Sequence, residues 1–295
     1  MTANSATAAT ATSHRTGADP RALALEPYRY TVIGRVRETR SSVTLTLAPV
    51  DADQIVAPGQ PGQFNMLWAF GVGEVPISLS ATDDSGLLVH TIRAVGPVSR
   101  KLCSARPGDT VGVRGPFGST WPIVQALGQD VIIVGGGIGL APVRPVIHAI
   151  LADRSSYGEV TVVVGARKAR DLLFRTELDR WWRERTIRVR TIVDESTADW
   201  HGNIGVVTTE LGRIGVDPTR TVAIACGPEI MMKFVAVNLV DQGMDPDRIA
   251  VSMERNMQCG IGQCGHCQIQ GYFACTDGPV FSWRQVEPLM GVREL

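Results

Sequence analysis

The sequence lacks several features that would place it in a specialised class. No apolar run approaches the roughly 20 residues of a transmembrane helix. Lysine and arginine number 29 and aspartate and glutamate also number 29, so no net charge attracts nucleic acid or an anionic membrane. Residues 1–26, rich in Ala, Thr and Ser, lack the basic start and apolar middle of a signal peptide. We therefore expect a cytoplasmic protein with a disordered tail at 1–26, without membrane insertion or bound nucleic acid.

The remaining residues divide into three segments by their pattern. Residues 27–124 hold short β-favouring runs separated by Pro/Gly and Asp/Ser turns, which predicts an antiparallel barrel or sandwich. In residues 125–244, strand-like runs such as DVIIV and VTVVVGAR alternate with helical patterns, which predicts a parallel sheet covered by helices. Residues 245–295 form a short segment that carries most of the cysteines. The expected fold class is therefore β plus α/β with a small third unit.

Four of the six cysteines lie in one stretch, MQCGIGQCGHCQIQGYFAC. They are Cys259, Cys264, Cys267 and Cys275, spaced C-x4-C-x2-C-x7-C, and the first three match the plant-type spacing for a [2Fe–2S] cluster. A loop that wraps closely around a cluster needs residues without Cβ clashes, and three glycines lie between the first and third cysteines. We therefore expect these four cysteines to ligate a [2Fe–2S] cluster.

Other interpretations of the cysteines stay open. Structural zinc usually uses two C-x2-C pairs, and only one is present here. Disulfides suit a secreted chain, which the composition does not predict. Unliganded cysteines would not cluster so tightly. His266 lies inside the C-x2-C but is expected to be a bystander, because four cysteines already complete the site; His90, His148 and His201 are expected to be structural.

Two turns in the α/β segment are candidates for nucleotide binding. VGGGIGLAP, from Val134 to Pro142, follows a strand and precedes a helical pattern, so its amides could approach a pyrophosphate. Alone it is a weak signal, since such turns occur without nucleotides and its spacing departs from G-x-G-x-x-G. Cys226 ends a later strand and is followed by Gly and Pro. A lone cysteine is usually buried and inert, but this turn would face the crevice where ligands of open α/β sheets collect.

The ordered motifs VPIS, GPVS, GPFG, VGGGIGLAP and CGP together resemble the ferredoxin–NADP reductase superfamily, and CGIGQCGHCQIQGYFAC narrows the resemblance to its iron–sulfur electron-transfer branch. That branch includes the electron-transfer subunits of dihydroorotate dehydrogenase B and of anaerobic sulfite reductase and, most similar here, the gamma subunit of NADP-linked [NiFe] sulfhydrogenases. The resemblance runs from about residue 27 to the end. It implies an FAD-binding β-barrel at 27–124, a Rossmann-like NAD(P)-binding domain at 125–244 and a [2Fe–2S] module at 245–295.

The resemblance also implies roles for single residues. Ser78 would lie near flavin N5, and Ser78 and Cys226 would be the catalytic pair. The residues expected around FAD are Pro76, Ile77, Ser78, Thr91, Ile92, Arg93, Gly96 and Ser99. Those expected at the NAD(P) phosphates are Gly136, Gly137, Gly139 and Pro142. Those expected beside the nicotinamide are Cys226, Gly227 and Pro228.

One strand departs from the family pattern. Family members often carry an arginine and an aromatic residue in an R-x-Y-S strand, and here those places hold Val75 and Ile77. The flavin phosphate charge would then be met elsewhere, for example by Arg93. Farther along, Arg167 lies at the end of the strand VTVVVGAR, where it could bind the 2′-phosphate that distinguishes NADP from NAD. This position favours NADP. The alternative is that Arg167 and its basic neighbours are solvated charges.

The implied activity is electron transfer. A hydride carries two electrons and a [2Fe–2S] cluster accepts one, so a flavin between them would take up hydride and release electrons singly. The resemblance implies an NAD(P)H-dependent subunit that exchanges electrons with iron–sulfur and [NiFe] hydrogenase subunits of a hetero-oligomeric complex. The open alternatives are a dihydroorotate dehydrogenase or sulfite reductase subunit, a self-contained ferredoxin-type reductase, and a zinc-stabilised interaction module without flavin.

Overall fold

The computed structural model of the chain describes residues 25–82, 86–198 and 200–290. The predicted tail therefore lies outside the described residues, apart from residues 25 and 26. Within those ranges, no helix is both long and apolar enough to cross a membrane.

The first structural unit is a closed antiparallel barrel, as predicted, with strand order β1-β2-β5-β4-β3-β6. Its strands are β1 (Tyr28–Arg37), β2 (Ser42–Pro49), β3 (Phe64–Ala69), β4 (Gly73–Ala81), β5 (Leu88–Arg93) and β6 (Thr110–Phe117), and helix α1 (Pro97–Ser104) follows β5. Successive side chains of a strand point to opposite faces. Leu67 and Val113 therefore fill the barrel interior, while Met66 packs outward into the core shared with the second unit.

The second unit is a seven-stranded sheet in the order β10-β9-β8-β7-β11-β12-β15. Its strands are β7 (Asp130–Gly136), β8 (Val160–Ala166), β9 (Arg188–Val193), β10 (Asn203–Ile204), β11 (Thr221–Cys226), β12 (Ile249–Ser252) and β15 (Val280–Ser282). All pair in parallel except β15, which is antiparallel to β12. The longer helices are α2 (Leu140–Ala152), α3 (Arg175–Glu184) and α5 (Glu229–Asp241), with a short α4 (Val207–Leu211). Continuous apolar runs such as that of β7 are buried because the sheet is covered on both faces.

The C-terminal segment joins this sheet before and after the cysteine loop. Strands β12 and β15 extend the sheet edge, and between them lie the cysteines and a small hairpin of β13 (Gln268–Ile269) and β14 (Tyr272–Phe273). Helix α6 (Trp283–Val286) follows, with Trp283 1% exposed in the core. The sheet therefore continues past residue 245. The division into an NAD(P) domain and a cluster module at that residue remains a prediction.

Two side-chain hydrogen bonds connect α2, the helix that follows the glycine loop, to the barrel and to the segment that leaves the barrel. The Trp121 indole donates to the carbonyl of Pro142 at 3.0 Å. Arg144 of α2 donates to the carbonyl of Ser80 in β4 at 2.7 Å and forms an ion pair with Glu177 of α3 at 2.6 Å. These contacts fix the angle between the barrel and the sheet, and a cleft lies between them.

Candidate functional site

The cleft has a volume of about 410 Å³, within the range of ligand pockets. One wall is the barrel, from β3, β4, β5 and the start of α1. The other wall comes from the glycine loop, the start of α2, and residues 252–257. The predicted site residues that line it are Pro76, Ile77, Ser78, Thr91, Arg93, Gly96, Ser99 and Pro142. The structure therefore brings most of the predicted flavin residues to one surface.

Ile92 does not line this surface. It is 0% exposed in the barrel interior, on the same face of β5 as Leu88. Thr91 and Arg93, its neighbours, face the cleft instead. Successive side chains of a strand alternate between its faces, so the Ile92 side chain packs the barrel, and its predicted place around the flavin remains a prediction.

The turn before α1 is organised to accept an anion. The Ser99 hydroxyl accepts hydrogen bonds from the backbone N–H groups of Val95 at 3.0 Å and Gly96 at 2.9 Å. This fixes the chain as it enters the helix, whose first turn carries no acidic residue. A helix N-terminus favours negative charge, and Arg93 lines the same cleft. The absence of an arginine at Val75 is thus compatible with a flavin pyrophosphate at this turn.

Two buried polar side chains support Ser78 from inside the barrel. His90 Nδ1 donates to the carbonyl of Ser78 at 3.0 Å, and Asn65 Nδ2 donates to His90 Nε2 at 3.2 Å. Burial, partly opposed by the backbone carbonyl of Ser78, lowers the pKa of His90 to about 4. The imidazole is therefore neutral at physiological pH, and it holds the Ser78 backbone in the strand that lines the cleft.

The two nucleotide-type turns lie side by side because β7 pairs directly with β11, with Cys226 opposite Gly135. A Cβ on Gly139 would lie 2.2 Å from the Cys226 carbonyl oxygen, so only glycine permits this approach. Gly136 likewise packs against Pro228, and Gly137, with φ of +55°, borders open space. These glycines and Gly227 are not among the residues that line the cleft, although Ile138 and Pro142 of the same loop are.

Cys226 is 2% exposed and lies behind the cleft wall. Burial, and secondarily the Glu254 carboxylate, raises the pKa of the Cys226 thiol, while Ser252 opposes the shift. The group is therefore a neutral thiol at physiological pH, not a thiolate nucleophile. Its predicted place beside a nicotinamide remains a prediction.

Sequence reasoning missed Glu254, which lies in the cleft between β12 and the cysteine loop. The side chain is accessible from the cleft mouth, yet the protein around it raises the pKa of the carboxyl by desolvation. Arg93 opposes this shift and Glu229 reinforces it. An acidic residue just after a buried strand could have been recognised in the sequence as a candidate site residue. Its position opposite Arg93 could not, because it depends on how the barrel packs against the sheet.

Arg167 lies at the carboxyl end of β8, exposed to solvent. Its neighbour Lys168 pairs with Glu195 at 2.8 Å across the ends of β8 and β9. This edge is the one at which the glycine loop and Cys226 also lie, because the strands are parallel. Arg167 is thus placed at the ligand-collecting edge of the sheet but does not line the cleft.

The cysteine loop gathers sulfur and backbone N–H groups. Cys259 Sγ accepts from the N–H groups of Ile261 at 3.4 Å, Gln263 at 3.3 Å and Cys264 at 3.4 Å. Cys275 Sγ accepts from the N–H of Gly262 at 3.2 Å. Gly262 has φ of +73°, a conformation that residues with a Cβ rarely adopt. The loop is therefore wrapped around its sulfurs as a cluster requires.

The cysteines of the loop affect one another's pKa. Cys264, the exposed member, contacts Cys259; burial would raise the pKa of the Cys264 thiol, but hydrogen bonds from His266 and Cys259 outweigh it and lower that pKa. Cys275 contacts Cys267, and burial together with that neighbouring sulfur raises the pKa of Cys275 to about 12. In the described ranges no three His, Cys, Asp or Glu side chains converge as around a single metal ion. Four cysteines in one loop, with backbone N–H groups directed at the sulfurs of Cys259 and Cys275, fit a [2Fe–2S] group.

Comparison with known proteins agrees with this geometry. Residues 133–237 match the oxidoreductase NAD-binding domain, and residues 254–287 match the iron–sulfur cluster binding domain of dihydroorotate dehydrogenase B. A solved structure of an NADH-dependent reduced ferredoxin–NADP oxidoreductase superposes with a TM-score of 0.70 at 25% identity, covering 89% of this chain and 92% of that one. The fold and site define an oxidoreductase with an FAD/NAD-binding, ferredoxin-reductase-like fold and an iron–sulfur domain.

Curated relatives narrow this class. The sulfhydrogenase 1 gamma subunit of Pyrococcus furiosus is 36% identical over 240 residues, 79% of this chain and 82% of its own length. A probable dihydroorotate dehydrogenase B (NAD(+)) electron transfer subunit of Methanocaldococcus jannaschii is 36% identical over 254 residues, 85% of this chain and 89% of its own. The chain belongs to the family of electron-transfer subunits that these two proteins represent.

Proposed function

We propose that this protein carries electrons between NAD(P)H, a flavin in the cleft and a [2Fe–2S] cluster held by Cys259, Cys264, Cys267 and Cys275, and exchanges them with a partner redox subunit. We further propose that the partner belongs to a cytoplasmic [NiFe] hydrogenase complex. The finer assignment extends the family relationship, which itself establishes only an electron-transfer subunit of hydrogenase or dihydroorotate dehydrogenase type.

The observation that carries the proposal is that one chain segment lines the cleft and leads directly into the cysteine loop. Residues 252–257 line the cleft opposite the barrel, and the first cluster cysteine follows two residues later. A flavin bound against Ser78 would thus lie against the chain segment that leads into the cluster loop. One continuous backbone connects the site that accepts hydride with the site that accepts single electrons.

Each part of the chain has a defined task in this scheme. Bound FAD supplies the exchange between one hydride and two single electrons. The strand Pro76–Ser78 forms the flavin-facing wall, and the turn held by Ser99 meets its pyrophosphate. The glycine loop and the Cys226 turn position the nicotinamide nucleotide from the opposite side. The apolar residues of the cleft lining, among them Val75, Ile77 and Ile138, would limit the access of water to a bound flavin.

The hydrogenase partner is supported by two sulfhydrogenase gamma subunits among the relatives, at 36% and 32% identity. A dihydroorotate dehydrogenase partner is the second candidate, favoured by the relative that aligns over 85% of this chain. Neither a nickel site nor an orotate site is required of this chain in these schemes, because the terminal chemistry would belong to the partner.

For the nucleotide we propose NADP. Arg167 and Arg170 are exposed at the strand edge, whereas Lys168 between them is paired with Glu195. Two exposed guanidinium groups near this edge would attract a 2′-phosphate, although both also interact with the Glu195 carboxylate. Glu195 is the kind of residue that an NAD-specific site would use to bind the ribose hydroxyl.

Anaerobically purified protein tests the redox scheme. We expect overlapping flavin and iron–sulfur absorption that bleaches on addition of NADPH, and more slowly with NADH at equal concentration. Preferential bleaching by NADH would contradict the NADP assignment alone. A colourless protein that contains zinc after reconstitution would contradict the redox scheme and support the zinc-stabilised module.

A tagged chain recovered from its native cells tests the partner. We expect co-purified subunits that contain nickel and that reduce this protein's cluster under hydrogen. Recovery with an orotate-reducing subunit would support the second candidate. Recovery of the chain alone, active with a ferredoxin, would identify a self-contained reductase.

A further inference from the structure

Arg114 of β6 is a buried cation that the proposed electron path does not yet use. Its side chain is 2% exposed, on the outer face of the barrel opposite Val113. It forms a two-pronged ion pair with Glu74 of β4, with Nε to Oε2 at 3.0 Å and Nη2 to Oε1 at 2.8 Å. Glu74 in turn lines the flavin cleft. One end of the guanidinium is therefore anchored to the cleft wall.

The other end of the same guanidinium holds the cluster loop. Arg114 Nη1 donates to the carbonyl of Cys259 at 2.9 Å, and Nη2 donates to the carbonyl of Gln258 at 3.3 Å. These bonds join residues about 145 positions apart in the sequence. They fix the backbone of the first proposed cluster ligand relative to the flavin-facing strand.

An aromatic contact runs beside this bridge. The Arg114 guanidinium lies 5.6 Å from the ring centre of Phe117, and a Cβ on Gly260 would lie 3.0 Å from that ring. The Phe117 and Phe64 ring centres are 5.9 Å apart, and Phe64 lines the cleft. A charged and an aromatic side chain of β6 thus fill the space between the cleft and the loop.

We infer that Arg114 is a positioning residue for the cluster, and that the balance of charge between Arg114 and Glu74 sets the cluster's reduction potential. This inference rests on the proposed cluster ligands. Reduction adds one negative charge to a cluster, and a nearby cation stabilises the reduced form; charge and hydrogen bonding around a cluster are known determinants of its potential. Because Arg114 is excluded from water, its charge is weakly screened.

Removing the charge of Arg114 and removing that of Glu74 should change the reduction potential of the cluster in opposite directions. Without the Arg114 charge, Glu74 remains as an uncompensated carboxylate beside the loop, so the reduced cluster is disfavoured. Without the Glu74 charge, Arg114 keeps its bonds to the Gln258 and Cys259 carbonyls, and the reduced cluster is favoured. A role confined to folding would not change the potential in opposite directions.

The test compares Arg114→Gln, Arg114→Lys and Glu74→Gln with the wild-type holoprotein, by redox titration followed by the EPR signal of the reduced cluster. We expect Arg114→Gln to lower the equilibrium constant for one-electron reduction of the cluster at least tenfold, which is a shift of about 59 mV in its potential. We expect Glu74→Gln to raise the same constant by at least as much. Arg114→Lys keeps the charge but not the planar fork, so its potential should stay nearer the wild type while its EPR line broadens. Arg190→Gln, which disrupts an ion pair with the buried Glu210 at the far edge of the sheet, is the control and should leave the potential unchanged.

The outcomes are separable. Shifts of the same sign in Arg114→Gln and Glu74→Gln, or no shift in Glu74→Gln, would overturn the inference. If Arg114→Gln does not retain a cluster, Glu74→Gln still decides, because it leaves Arg114 and its donors to the loop in place. Absence of any iron–sulfur EPR signal in the wild-type protein would instead contradict the proposed function.

Discussion

In the cluster loop, N–H groups of neighbouring residues from Ile261 to Cys264 are directed at two sulfurs, and all four cysteines lie within 17 residues of sequence. The cleft is built differently: its lining comes from barrel strands, the starts of α1 and α2, the glycine loop and residues 252–257. The bonds from N–H groups to sulfur are local to the loop and depend on its glycines, although Arg114 of β6 also holds the Cys259 carbonyl from outside the loop. The cleft exists only where the barrel and the sheet are held together, so changes far from it should alter it.

The largest expected effect is a change that removes the cluster and leaves the cleft intact. Cys267→Ala removes a proposed cluster ligand that is 1% exposed, so the iron and acid-labile sulfide contents should fall to near zero. Flavin bleaching by NADPH should persist, because no cleft residue changes. Cys103→Ala, at a buried thiol of the barrel, is the matched control and should keep its iron. Full iron in Cys267→Ala would show that Cys267 is not a ligand.

The next change disrupts the cleft and spares the loop. Gly139→Ala places a Cβ 2.2 Å from the Cys226 carbonyl oxygen, which forces the two nucleotide turns apart and should cost about 1–3 kcal/mol of stability. We expect the rate of flavin bleaching by NADPH to fall at least tenfold while iron content is unchanged. Gly215→Ala, where a Cβ meets nothing within 4 Å, is the control. Equal bleaching rates in the two variants would exclude a role for the close approach of the turns.

These two changes also show what the sequence could predict. The cysteine spacing, the glycine turn after DVIIV and the alternation of strands and helices are contiguous patterns, and the barrel and parallel sheet they predicted are confirmed. The bridge from Glu74 through Arg114 to Cys259 was not predictable, because no local pattern indicates which residue a buried charge will meet about 145 positions away. Glu254 was missed for the same reason. The burial of the Ile92 side chain does not follow from the resemblance, which names a segment, whereas strand alternation decides which of its side chains face the cleft.

The third prediction concerns the polar support beneath Ser78. The pKa of His90 is about 4 in the folded protein and 6.5 for an ordinary histidine, so between those values the unfolded chain binds more protons. Stability should therefore fall as pH decreases from 6.5 to 4, by about 3 kcal/mol in total, and stay level with respect to this group above 6.5. Urea unfolding across this range measures it. His90→Gln should flatten the dependence, and an identical slope in that variant would assign the effect to other groups.

The smallest expected effect concerns the contact that fixes the barrel against the sheet. Burial alone would raise the pKa of Glu177, but hydrogen bonds from Arg144 and His148 outweigh it and hold that pKa at about 2. A lowered carboxyl pKa stabilises the fold above its ordinary value of 4.5, and this stabilisation is lost as pH falls from 4.5 to 2. Since the carboxylate is partly solvated, we expect Glu177→Gln to cost about 1–2 kcal/mol at pH 7 and less in acid. The same unfolding measurement on Glu195→Gln, which breaks an exposed pair with Lys168, should show no resolvable change. If Glu177→Gln also weakens flavin binding while leaving iron intact, the cleft depends on the angle between the two units and the cluster loop does not.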